Sequence, residues 1–265
     1  MSQAVIWAAL GTGFTFLMTA LGAAVVFFFK GTMHENVQRA FLGFAAGVMI
    51  AASVWSLLIP SIDRAAERNI PIEWIPAAGG FVLGGLFLLA LDKLMPHLHL
   101  GTDKPEGRPS SMKRVTLLIA AVTLHNIPEG MATGLAFAMA AQNPDEKGWY
   151  AAAFALAVGI GIQNFPEGAA ISLPLRKEGH SRSKAFLWGA GSGIVEPIFG
   201  IATTLAASWI EPVMPWLLAF AAGAMVFVVV EELIPEAKFK TDSNVGTIGF
   251  MGGFLIMMIL DVALG

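Results

Sequence analysis

The 265-residue chain has no cysteine and a single tyrosine, and only 13% of its residues are charged. The missing cysteine excludes disulfides and every thiolate metal site. Any transition-metal site must therefore use imidazole, carboxylate, amide or thioether groups. The low charge excludes an ordinary soluble domain, in which about a quarter of the residues are charged. The net charge of -3 says little about partners, because a bilayer rather than a charged macromolecule surrounds most of such a chain, and no nucleic-acid partner is expected.

Apolar sequence fills the space that charge leaves, at 56% hydrophobic residues. Runs of about 20 apolar residues, the length that spans a bilayer, fall at about 4–29, 40–60, 74–94, 115–141, 149–175, 185–209, 213–235 and 245–264. The reading is an all-α polytopic membrane protein with eight transmembrane helices and one domain over residues 1–265. The connections are short, the longest being a polar loop of about residues 95–114. The first run has no basic residue before it and is too long and Phe-rich for a cleavable signal, so it reads as helix one.

Of the 16 Lys and Arg residues, all but Arg64, Arg68 and Lys147 lie at alternate connections. The positive-inside rule then places both termini on the extracytoplasmic side of a cell (inner) membrane.

Two copies of one phrase interrupt this apolar background: His125-Asn126-Ile127-Pro128-Glu129-Gly130 and Gln163-Asn164-Phe165-Pro166-Glu167-Gly168. Counting at about 1.5 Å per residue puts His125, Gln163, Glu196 of helix six and Met49 of helix two on the order of 15 to 20 Å deep. That is about half of a hydrocarbon core roughly 30 Å thick. His125 and Glu129 are one turn apart on one helix face, which is ligand spacing, and Gln163 and Glu167 repeat it. Asn126 and Asn164 lie about 100° round and face a neighbouring position. Pro128 and Pro166 leave the carbonyls of Leu124 and Ile162 without helical donors, a break tolerated at membrane depth where it lines a cavity.

A buried hydrogen-bonded staple between helices is the plain alternative. Three mid-membrane carboxylates with one histidine and no Lys or Arg at their depth cannot neutralise one another, however. Protons or divalent cations must do so.

The doubled phrase, the eight helices, the outward termini and a His-containing loop between helices three and four resemble the ZIP family of divalent-metal transporters, in particular its bacterial GufA-like branch. The resemblance covers essentially the whole chain. It implies a binuclear site at mid-membrane between helices 2, 4, 5 and 6, holding two metal ions per protomer. One ion would be held by His125, Glu129, Gln163 and Glu167 with Met49, and the second by Asn126, Asn164 and Glu196, with Glu129 and Glu167 bridging.

Such mixed, non-thiolate ligands suit Zn2+, with Cd2+, Fe2+ or Mn2+ as alternatives, and permit release. The resemblance also gives Ser56, Asp63 and Asp261 a place on an entrance path, and Asp92, His97, His99, Glu231 and Glu232 a place on an exit path. Glu231 departs from the family pattern, since related chains often carry histidine there. Alternating access by an elevator-type motion and a homodimer are further implications. Two other functions are weighed against uptake: an intramembrane metal-dependent hydrolase, and a proton- or sodium-coupled carrier of an organic solute. Neither an evident nucleophile nor a basic anchor at site depth supports them.

Overall fold

The computed structural model describes residues 2–28, 34–94, 114–142, 147–177, 179–238 and 243–264. The described residues are helical, with short 3-10 and π turns and no strand. Helix α1 is Ser2–Ala24, closed by a 3-10 turn at Val25–Phe27. Helix α2 is Glu35–Glu67, with a π turn at Ser53–Leu58. Helices α3 (Trp74–Leu94), α4 (Arg114–Gln142) and α5 (Lys147–Lys177) follow. Helix α6 has two segments, Arg182–Ser192 and Val195–Ile210. Helix α7 begins at Met214–Val228 and continues through a π turn, Val229–Leu233, into Ile234–Lys238. Helix α8 is Val245–Leu264.

Among the described residues, α1, α2, α3, α6, α7 and α8 supply six segments long and apolar enough to cross a membrane. The chain is a multi-pass membrane protein. Helices α4 and α5, which carry the polar phrases, are 29 and 31 residues long but are not among those six.

Two expectations are corrected. The second run does not end at residue 60: α2 continues to Glu67, so Asp63 lies on the helix rather than beyond it. Pro60 is accommodated because it opens the segment that follows the π turn, where a missing N–H costs little. There the Ser61 hydroxyl donates to the Pro215 carbonyl at 2.7 Å, fixing α2 against the start of α7. The sixth run is not continuous either. Pro197 has no N–H to offer the Gly193 carbonyl, which instead accepts from the Glu196 N–H at 3.0 Å. Glu196 consequently stands in the first turn of a new segment, where the helix dipole favours a carboxylate. His97 and His99 lie outside the described residues.

The helices pack as two groups. In one, α2 pairs with α8 and α3 with α7; in the other, α1 pairs with α5 and α4 with the second segment of α6. The first group contains a repeat that periodicity alone does not reveal. Phe44-Ala45-Ala46-Gly47-Val48-Met49 in α2 returns as Phe220-Ala221-Ala222-Gly223-Ala224-Met225 in α7, and each copy is followed by a π turn and Leu-Ile-Pro.

The packing repeats with the sequence. A Cβ on Gly47 would strike the Phe250 carbonyl of α8, and one on Gly223 the Phe81 carbonyl of α3. Conversely, Gly253 of α8 seats on the Phe44 carbonyl, and Gly84 of α3 on the Phe220 carbonyl. Helix pairs without side chains between them can approach this closely only at glycine. The α2–α8 and α7–α3 pairs are therefore two copies of one unit, and the phrase-bearing α4 and α5 lie against them.

Candidate metal centre

Glycine again sets the geometry around the phrases. Gly130 lies against the Glu196 backbone carbonyl and Gly168 against the Thr19 carbonyl. Helices α6 and α1 thus come close enough for their polar groups to meet those of α4 and α5. A Gln163 amide N–H donates to Glu129 Oε1 at 2.6 Å. The Asn164 amide donates to Glu196 Oε2 at 2.8 Å, and the Thr19 hydroxyl to Glu196 Oε1 at 3.4 Å. The Asn126 amide donates to the Ser192 carbonyl at 3.1 Å, beside the break in α6.

The amide donors of this cluster are used, but five of its acceptors are not. Asn126 Oδ1, Asn164 Oδ1, Gln163 Oε1, Glu129 Oε2 and Glu167 Oε1 are all buried without a partner. Each such atom costs about 1 to 3 kcal/mol when left bare. Five oxygens that share this deficit, with no Lys or Arg beside them, are a donor set for a hard or borderline cation.

The groups are not preassembled around one point: among the described residues, no three His, Asp or Glu side chains converge as a ready metal site. The carboxylates instead hold amide N–H groups, which a cation would displace.

One cavity is lined by Met49, His125, Glu129, Gln163, Glu167 and Glu232. The family resemblance implies the first five of these as ligands of one ion. Asn126, Asn164 and Glu196 are fully buried beside this cavity and do not line it, which for the two asparagines is in keeping with their position about 100° round α4 and α5.

Glu232 occupies a more central place than a helix-end residue on an exit path. Its Oε1 lies 2.6 Å from His125 Nε2. The π turn at Val229–Leu233 gives it this reach: the extra residue in the turn rotates Glu232 inward and leaves Glu231 exposed. Such turns are frequent at functional sites. A second cavity continues from the same pair toward Asp92, lined also by Leu124, the residue whose carbonyl Pro128 leaves without a donor. Asp92 and Glu232 therefore line one cavity.

On the opposite side the Ser56 hydroxyl donates to Asp261 Oδ1 at 2.6 Å, and Asp261 is buried with Oδ2 unpartnered. Asp63 is exposed on α2.

A buried, acceptor-rich cluster inside a multi-pass helical chain defines a cation-handling membrane protein, and comparison with known proteins agrees. The family described as ZIP Zinc transporter matches residues 104–261. Zinc transporter ZIP11 of Xenopus tropicalis is 39% identical, covering 97% of this chain and 96% of its own length. Zinc transporter ZIPB of Bordetella bronchiseptica is 38% identical over 98% of this chain and 82% of its own. Zinc transporter GufA of Myxococcus xanthus is 35% identical, with 93% and 94% covered. The chain belongs to the ZIP zinc transporter family.

Proposed function

We propose that this protein takes up divalent transition metal, zinc first and cadmium, iron or manganese as alternatives, into the cytoplasm through a binuclear intramembrane site. All eight helices cross a cell membrane in this reading, with both termini outside, and the functional unit is a homodimer. The observation that carries it is the set of five buried, unpartnered oxygens on α4 and α5 beside His125 and Glu196.

The grouping of helices supports an alternating-access motion of the elevator type. His125, Asn126, Glu129, Gln163, Asn164, Glu167 and Glu196 all belong to the α1, α4, α5 and α6 group, whereas Met49 and Glu232 come from the other. The first group carries the cation while the second supplies the walls along which it moves. His125, Glu129, Gln163, Glu167 and Met49 hold the ion in transit. The all-oxygen position at Asn126, Asn164 and Glu196 shares Glu129 and Glu167 and modulates the first.

Zinc uptake into proteoliposomes holding the purified chain tests this reading, together with bound metal counted on the protein. The wild type is expected to accumulate zinc and bind two ions per protomer. Glu196→Ala should fall to one ion while keeping the site at His125. A folded wild type that binds zinc but accumulates none would refute transport, and loss of both ions from Glu196→Ala would refute the division into two positions.

A further inference from the structure

No residue of the two cation positions comes from α1, yet three threonines of that helix, Thr12, Thr15 and Thr19, have no exposure at all. Steps of three and four residues put them on one face. A buried hydroxyl needs an acceptor, and the first two find theirs on α1 itself. Thr12 donates to the Ala8 carbonyl at 2.6 Å and Thr15 to the Thr12 carbonyl at 2.9 Å. Thr19 differs. Its bond to the Thr15 carbonyl is stretched to 3.3 Å, and at nearly the same distance, 3.4 Å, its oxygen meets Glu196 Oε1. The hydroxyl has one proton for two acceptors.

Two glycines make room for this residue. A Cβ on Gly168, the last residue of the second phrase, would strike the Thr19 backbone carbonyl. One on Gly193, at the break in α6, would stand 3.1 Å from both Thr19 Cβ and Cγ2 and 3.0 Å from Glu196 Oε1. The close approach of α1, α5 and α6 therefore sets Thr19 against the carboxylate. The acceptor deficit continues beside it. Asn164 donates to Glu196 Oε2 at 2.8 Å and to the Thr15 carbonyl at 3.4 Å, while its own Oδ1 is buried and bare.

We propose that Thr19 is a further ligand of the second cation, its hydroxyl oxygen joining Asn126, Asn164 and Glu196. The inference rests on the reading of two cation positions. A cation on Glu196 repels the Thr19 proton, which turns to the Thr15 carbonyl 3.3 Å away and leaves an oxygen lone pair toward the carboxylate and its ion. This needs only rotation about the Cβ–Oγ1 bond, so the packing at Gly168 and Gly193 is undisturbed. An uncharged oxygen completes the coordination without tightening it as another carboxylate would.

Metal binding to the purified full chain in detergent, with bound ions counted across a zinc titration, tests the assignment. Thr19→Val keeps the side-chain shape and removes the hydroxyl. It should weaken the second zinc ion about tenfold, the scale of one lost polar contact, and leave the ion at His125 unchanged. Thr19→Ser restores the hydroxyl and should bind as the wild type does. Thr12→Val removes a hydroxyl spent within α1 and should bind both ions normally. The loss in Thr19→Val should be larger for manganese than for cadmium, because a hydroxyl oxygen is a hard ligand. Thr19→Ala gives the same reading if Thr19→Val does not fold.

Wild-type affinity for the second ion in a folded Thr19→Val or Thr19→Ala overturns the inference. Equal loss in Thr12→Val overturns it too, since the effect would then be one of packing. A loss that is the same for manganese and cadmium would make Thr19 a prop for Glu196 and not a ligand. A wild type that binds a single zinc ion sinks the two-position reading and this inference with it. Two ions in the wild type, with the second weakened only at Thr19, uphold the inference even where no zinc is taken up.

Discussion

Glu129→Ala is expected to lower zinc uptake at least a hundredfold and to empty both metal positions. The carboxylate lies where α4 and α5 meet, holding the Gln163 amide through one oxygen while the other is buried and bare. Its removal takes away negative charge that a buried divalent cation needs and frees the Gln163 amide to point a donor at the site. Breaking a buried ionic arrangement by deleting one partner costs about 3 to 5 kcal/mol, hence the hundredfold or greater loss.

Glu129→Gln separates charge from shape. The amide can still accept from Gln163, so the helices should stay packed, yet uptake should remain at least tenfold below wild type. Glu167→Ala should behave like Glu129→Ala, since the proposed site has it too shared between both positions. Zinc uptake with metal counted per protomer reads all three variants. Full stoichiometry in Glu129→Ala would remove this carboxylate from the coordination sphere.

The second large effect concerns folding. Gly47→Val and Gly84→Val should each abolish monodisperse protein in mild detergent, or lower the midpoint of thermal unfolding by well over 10 °C. The atoms in the way are the backbone carbonyls of Phe250 and Phe220. A side chain can rotate aside, but a carbonyl moves only with its helix, so the penalty should reach or exceed the roughly 1 to 3 kcal/mol typical of overpacking. Gly252→Val is the control. Nothing lies within 4 Å of a Cβ at that position, and valine adds only lipid-facing surface. Equal loss in the control would show that valine itself, rather than the close approach, disrupts the fold.

Much of this arrangement was legible in the sequence because membrane depth makes polar residues conspicuous. The paired phrases stand out against runs of Ala, Leu and Phe, and residue counting alone put His125, Gln163, Glu196 and Met49 in one layer. Legibility failed where backbone hydrogen bonding, rather than hydrophobicity, decided the outcome. The extension of α2 to Glu67 depends on how a π turn accommodates Pro60, and the apolar run says nothing of it. The break before Glu196 had a signal in Gly193 and Pro197, four residues apart, but one hidden inside a stripe of small residues that reads as continuous.

The contact of Glu232 with His125 was the least legible feature of the site. The resemblance implied a place for Glu232 on an exit path, and the sequence held no sign that its carboxylate would lie 2.6 Å from His125 Nε2. The repeat of Phe-Ala-Ala-Gly with its methionine was present throughout, but comparing segments 176 residues apart is needed to see it. Its importance emerges from the matched glycine contacts.

The two π turns also break the likeness that they help to reveal. From Met49 to Leu58 there are nine steps, but only eight from Met225 to Leu233. One residue of helix is about 100° of rotation, so the two copies present different groups at their ends. One end offers Ser56 tied to Asp261, and the other offers Glu232 against His125. The ends of the two copies are consequently unequal in charge, although the helices behind them are cut to one pattern. Such inequality cannot move a passive equilibrium, which the cation gradient alone fixes. Under the alternating-access reading proposed above, it determines instead on which side the empty protein waits.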